Sequence, residues 1–167
     1  VDGARAGFRV AYAVEEVPGR GRAIIAGEDI RAGSLVWCGD DAGAVRAVTE
    51  EEVRERAAAL PRAEAQFFLN HIYAFDGSMW EIPGDAKFWN HSRAPNTGGL
   101  DALAAAGIAP AVDGGPAPTN ANYALVDVPK GTELTDDYAE YENPDWYVAL
   151  CREFEVEWAG KVAELYE

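Results

Sequence analysis

The sequence predicts an α+β domain, mainly β, built of small twisted sheets with a helical insert and a C-terminal helix. Three observations predict it. Short apolar runs rich in aromatic and β-branched residues, separated by Gly- and Pro-containing turns, run from Phe8 to Cys38 and resume at Ile72; such runs read as strands. A charged, alanine-rich stretch with a helix-start signature interrupts them at Thr49. Strands do not alternate with helices and no glycine fingerprint follows a first strand, which excludes a dinucleotide-binding parallel sheet.

Each element has a local reason. Phe8 to Val14 reads as a strand, Pro18-Gly19-Arg20-Gly21 as a tight turn, and Ala23 to Ala26 as a short buried strand. Arg31-Ala32-Gly33 turns the chain again before a strand from Ser34 to Cys38. Thr49-Glu50-Glu51-Glu52 has the form of a capping box, so a helix starts after Thr49 and runs to Leu60, where Pro61 stops it. A second helical stretch spans Ala63 to Asn70. Asp76-Gly77 between Ile72–Phe75 and Met79–Ile82 is a hairpin signal. The Gly/Ala/Pro-rich stretch Gly98–Asn120 is a long loop with a short helical piece at Leu100 to Ala106. Strands are expected at Tyr123 to Val128 and, after Pro129-Lys130-Gly131, at Glu133-Leu134-Thr135. Asn143 as N-cap and Pro144 at the first helical position start the last section. There Tyr147, Leu150, Cys151, Phe154 and Trp158 share a helical face, while Glu153 to Trp158 also alternates as a strand would.

Length and composition bound the function. A chain of 167 residues with 49% apolar residues fits one domain with a real core. We therefore expect a single domain over 1–167, with a helical insert at 49–70, a variable loop at 98–120 and a C-terminal flanking segment at 139–167. No apolar run reaches the roughly 18 residues of a membrane span, and the N-terminus lacks a signal peptide's pattern. Two cysteines, Cys38 and Cys151, make neither a disulfide framework nor a zinc pair, which points to a reducing, intracellular (cytoplasmic or nuclear) setting. The net charge of −15 disfavours direct nucleic-acid binding and suits either a basic protein partner or simple solubility.

Three clusters carry chemistry. Gly19-Arg20-Gly21 lets backbone approach a ligand closely, as any turn of this kind does. Phe88-Trp89-Asn90-His91-Ser92, continuing through Pro95-Asn96, puts mixed donors and acceptors in one place, as site or as polar turn. Glu133-Leu134-Thr135-Asp136-Asp137-Tyr138 ends on a tyrosine that belongs to core or site. No G-x-S-x-G elbow, Walker loop or H-E-x-x-H is present.

In order, GRGRAIIAGEDIRAGSLV, FWNHSRAPNT and ALVDVPKGTELTDDY resemble the motifs of the SET domain family, over Val14 to Tyr138. The resemblance implies a β-clip-like fold of small curved sheets, in which a knot-like crossing lays the N-H-S and E-L-T-x-D-Y stretches side by side. It implies S-adenosylmethionine as methyl donor, with S-adenosylhomocysteine as product and no metal. Arg20, Gly21, Phe88, Asn90, His91 and Tyr138 are the implied cofactor residues, and Tyr138 the catalytic one. Trp146 and Phe154 are candidates for stacking on adenine. The implied reaction is methylation of an amine, foremost a protein lysine side chain, in a basic protein.

The sequence departs from the family pattern in two places. Where many members carry Y-x-G-E, this chain reads Trp37-Cys38-Gly39-Asp40-Asp41, and Tyr73 or Tyr123 is left to supply the channel tyrosine. Where they have an aromatic or aliphatic residue two positions before the tyrosine, it has Asp136. Tyr123 and Asp136 are therefore the expected substrate-binding residues. These departures leave two alternatives: methyl transfer to a small-molecule acceptor, or a non-catalytic module that binds a basic protein.

Overall fold

The computed structural model describes residues 5–112 and 114–165. Its strands are β1 (Tyr12–Val17), β2 (Gly21–Ala26), β3 (Leu35–Cys38), β4 (Arg46–Val48), β5 (Ile72–Phe75), β6 (Ser78–Glu81), β7 (Asn90–His91), β8 (Thr97–Gly98), β9 (Ala121–Ala124) and β10 (Thr135–Asp136). Its helices are α1 (Glu50–Ala59), α2 (Arg62–Leu69), α3 (Leu100–Ala105), α4 (Asp145–Phe154) and α5 (Ala159–Leu165). The chain divides into two compact units, each discontinuous in sequence: residues 1–45 with 83–137, and 46–82 with 138–167.

In the first unit, β1 and β2 pair antiparallel from Tyr12↔Ala26 to Val17↔Gly21. The turn between them needs two glycines, since Gly19 and Gly21 sit at φ 77° and 73°, where a side chain is strained. A second sheet has the order β3-β9-β8. It packs against α3, and Leu103, Ala121 and Tyr123 form the centre of that cluster. β7 and β10 form a parallel pair, the only one among the described strands. The strand expected from Phe8 begins instead at Tyr12, with Phe8 making a separate bridge to Trp37. Glu28 Oε1 takes the Ala11 amide at 2.7 Å, so pairing with β2 starts at Tyr12, while Arg9 N bonds to Val36 O of β3 at 2.9 Å. The strand expected at Tyr123 to Val128 is displaced to Ala121–Ala124. Beyond it Val126 is 52% exposed, Asp127 Oδ1 accepts from the Ala32 amide, and Val128 bridges Ile30 separately.

The second unit is the helical insert with its hairpin and the C-terminal helices. Thr49 caps α1 as its sequence requires: its hydroxyl accepts from Glu52 N at 3.2 Å, and Glu52 Oε2 accepts from Thr49 N at 2.9 Å. β5 and β6 form the expected hairpin, with Asp76 and Gly77 both at positive φ (51° and 69°), as a two-residue primed turn demands. Val53, Leu69, Ile72, Met79, Leu150 and Cys151 lie in its core. The last helix starts one residue later than expected, with Pro144 at the cap position and no side-chain cap. The Asn143 side chain is used elsewhere: its Oδ1 accepts from Gly160 N. α4 ends at Phe154 because Glu155 turns left-handed (φ 59°), so Trp158 falls outside it and a second C-terminal helix follows.

Inside this core, burial pushes the Cys151 thiol up from its usual 9.0 to about 11. Burial also raises the Tyr147 hydroxyl well above 10.0, while that hydroxyl donates to Leu69 O at 2.7 Å. Between pH 9.0 and about 11 the unfolded chain loses a proton at position 151 that the folded chain keeps. Stability therefore falls as pH rises through that window. Urea melts at about pH 8 and about pH 10.5 should show a steeper fall for wild type than for Cys151→Ala. Thr49→Ala should cost about 1 kcal/mol in the same assay at neutral pH.

Candidate functional site

The parallel pair brings together two stretches more than forty residues apart in the chain. Asn90 lies opposite Thr135 and His91 opposite Asp136, and Ser92 N continues the ladder to Asp136 O at 2.9 Å. Two-residue strands cannot hold themselves. The Asn96 side chain holds them here: Nδ2 donates to Glu133 O at 2.8 Å, and Oδ1 accepts from Thr135 N at 2.8 Å. Thr97 Oγ1 adds a bond to Thr135 O, also at 2.8 Å.

β2 joins from the other side, through Leu134 N to Ile24 O at 2.8 Å and the Ile25–Glu133 bridge. This carries the glycine turn to the same place. Arg20 Nη2 donates to His91 O at 2.7 Å, and its Nε lies 3.4 Å from Glu133 Oε1. The same carboxylate oxygen accepts from Asn90 Nδ2 at 2.9 Å, and Asn90 Nδ2 also donates to Arg22 O at 3.1 Å. Glu133 thus ties the glycine turn to the N-H-S strand.

S-adenosylmethionine presents a carboxylate, an ammonium, ribose hydroxyls and an adenine, and the residues here fit such a group. A Cβ placed on Gly19 or Gly21 would meet no protein atom, so the turn's backbone is open to a ligand. Arg20 and Asn90 add a cation and an amide beside it. The His91 ring is buried, with Nδ1 3.7 Å from Asp137 Oδ1. Phe88 is buried beneath the Arg22 guanidinium, 3.9 Å from its ring centroid. Trp89 is buried and stacks on Phe8 at 5.6 Å.

Of the expected substrate residues, Asp136 is buried and accepts from Asn122 Nδ2 at 3.0 Å and from Asp137 N at 2.9 Å. Tyr123 is fully buried, its hydroxyl donates to Pro118 O at 2.9 Å, and burial raises its pKa. That is the environment of a packing residue. In the stretch that replaces Y-x-G-E, Trp37 is buried with Nε1 on Ala6 O. Gly39 abuts the Asn120 side chain. Asp41 takes Arg9 in a two-point pair whose Nη2 bond is 2.8 Å, and that bond lowers the Asp41 pKa.

Tyr138 follows Asp137 and opens the C-terminal part of the second unit. Its ring centroid lies 5.7 Å from that of Tyr141, and Tyr141 lies 5.2 Å from Tyr73. Trp146 and Phe154 are half-buried against the core of that unit, Trp146 edge-on to Tyr147 at 5.9 Å. Sequence reasoning gave Glu133 and Asn96 no role of their own, and did not single out Asn122 or Tyr141. The available signals were a polar residue inside the apolar strand Ala121–Ala124 and a second tyrosine one turn beyond Tyr138.

The SET domain family model matches residues 21–139. Among solved structures, the chain is similar to the Neurospora SET domain protein DIM-5, a histone lysine methyltransferase (23% identity, TM-score 0.52, covering 83% of this chain and 55% of that one). It is also similar to the methyltransferase domain of the human histone-lysine N-methyltransferase SETMAR (20%, 0.52, 82% and 47%). A third similar chain was solved for the structural basis of product specificity in histone lysine methyltransferases (25%, 0.50, 80% and 52%). The chain thus spans about half the length of these structures. Among curated proteins no sequence matches significantly.

Removing the Asn96 side chain strands a backbone carbonyl and a backbone amide. We expect Asn96→Ala to lower stability by about 2–4 kcal/mol in urea melts. Asn96→Asp should not recover it, because a carboxylate cannot donate to Glu133 O.

Proposed function

Because the chain belongs to the SET domain family, we propose that it transfers a methyl group from S-adenosylmethionine to an amine, foremost a protein lysine side chain. One observation carries the reading. The parallel pairing of Asn90–His91 with Thr135–Asp136 assembles the family's two most specific motifs and leads directly into Tyr138.

When bound, the cofactor would supply an electrophilic methyl carbon, open to in-line displacement, whose leaving group is the neutral thioether of S-adenosylhomocysteine. The chain's part is binding and alignment. Arg20, the Gly21 backbone, Asn90 and His91 hold the donor; Glu133 fixes Arg20 and Asn90 relative to each other. The Tyr138 hydroxyl orients the acceptor nitrogen. A lysine amine, with a pKa of about 10.4 in water, must be neutral to react, and exclusion of water favours that form. Asp136, fixed by Asn122, offers a carboxylate that attracts the incoming ammonium. The net charge of −15 favours a basic protein as the acceptor.

The test is mass spectrometry of core histones and of free lysine after incubation with enzyme and S-adenosylmethionine. We expect one-methyl increments on histone lysines, and a loss of at least about 100-fold in rate for Tyr138→Phe. Methylation confined to free lysine would move the assignment to a small-molecule acceptor. No methylation of either, or an unaffected Tyr138→Phe, would contradict the proposal.

A further inference from the structure

Tyr138 is braced from the C-terminal side by a short chain of contacts. Its ring lies against Tyr141 at 5.7 Å, with the planes inclined at 50°. Tyr141 in turn lies against Tyr73 at 5.2 Å and 52°. The backbone carrying Tyr141 is fixed on both sides. Glu142 N donates to Ala74 O at 3.0 Å, so this stretch is bridged to β5, the strand that carries Tyr73. The Glu142 carboxylate also accepts from Gly77 N at 3.1 Å. On the other side, Asn143 Nδ2 donates to Tyr141 O at 3.0 Å, while Asn143 Oδ1 accepts from Gly160 N at 3.1 Å in α5. The fit at Gly160 is close: a Cβ there would lie 2.8 Å from Asn143 Nδ2 and 3.1 Å from its Cγ and Oδ1. Only glycine lets α5 approach this near.

We propose that Asn143, locked by Gly160, is a positioning residue for the transfer reaction. It holds Tyr141 as a buttress that keeps the Tyr138 ring in its reactive orientation. The inference rests on Tyr138 being the catalytic tyrosine. It explains why Asn143 caps no helix although it precedes Pro144: its amide is committed to Tyr141 and α5.

A buttress acts on the chemical step and leaves binding alone. With core histones as acceptor, Asn143→Ala and Gly160→Ala should each lower kcat by about tenfold or more, since small misplacement of a reacting group costs that much. KM for histone and the S-adenosylmethionine Kd should change less than about threefold. Because both residues act through one link, the double variant should be no slower than the worse single one. Tyr141→Phe, which keeps the ring, should retain kcat; Tyr141→Leu should lose it as Asn143→Ala does. This last pair keeps the test decisive if Gly160→Ala fails to fold. Wild-type kcat in Asn143→Ala, or equal kcat in Tyr141→Phe and Tyr141→Leu, would overturn the inference. So would losses that appear only as raised KM. An inactive wild type, or an unaffected Tyr138→Phe, would instead overturn the functional reading on which it rests.

Discussion

The arrangement of the first unit depends on one side chain, the amide of Asn96. β7 and β10 are two residues each, and strands that short have too few ladder bonds to stay paired. Asn96 replaces the missing ladder. It presents an acceptor to Thr135 N and a donor to Glu133 O, so it satisfies alternate backbone groups much as a neighbouring strand would. Asparagine is the shortest side chain that carries both functions in one plane. Once the 133–136 stretch is pinned, β2 can bond to it on one side and β7 on the other.

Charge is then used sparingly and locally. Glu133 connects Arg20 with Asn90, and both of these also bond to backbone carbonyls. The positions of the cation and the amide are therefore set before any ligand arrives, which is the condition for binding energy to be spent on the ligand rather than on ordering the protein. Asp136 follows the same logic: a buried carboxylate is costly unless bonded, and Asn122 and the Asp137 amide provide bonds. In the second unit the ordering is aromatic, through the row Tyr73, Tyr141 and Tyr138.

Features set by neighbours in the chain were legible in the sequence. Thr49 with Glu52, and Asp76 with Gly77, do what their types and spacing require. Which distant stretches would meet was implied by the resemblance to the SET domain family, and β7 does pair with β10. Features set by long-range packing were not legible. Tyr123 has the composition of a channel residue, but the β3-β9-β8 sheet and α3 enclose it. Asn143-Pro144 has the form of a helix start, but α5 competes for the asparagine, and nothing local in the sequence foretells that contact. The limits of β1 and β9 moved for a similar reason: Glu28 takes the Ala11 amide inside the expected first strand, and beyond β9 the Asp127 side chain is bonded to the Ala32 amide of a neighbouring turn.

The clasped pair of strands is proposed to present the site for a methyl donor. Calorimetric titration of S-adenosylmethionine into wild type and Asn90→Ala, with thermal melts to confirm that both are folded, tests it most directly. We expect micromolar binding by wild type, weakened by at least about tenfold (1.4 kcal/mol) in the folded variant. Absence of binding by wild type, or equal binding by the two proteins, would contradict it.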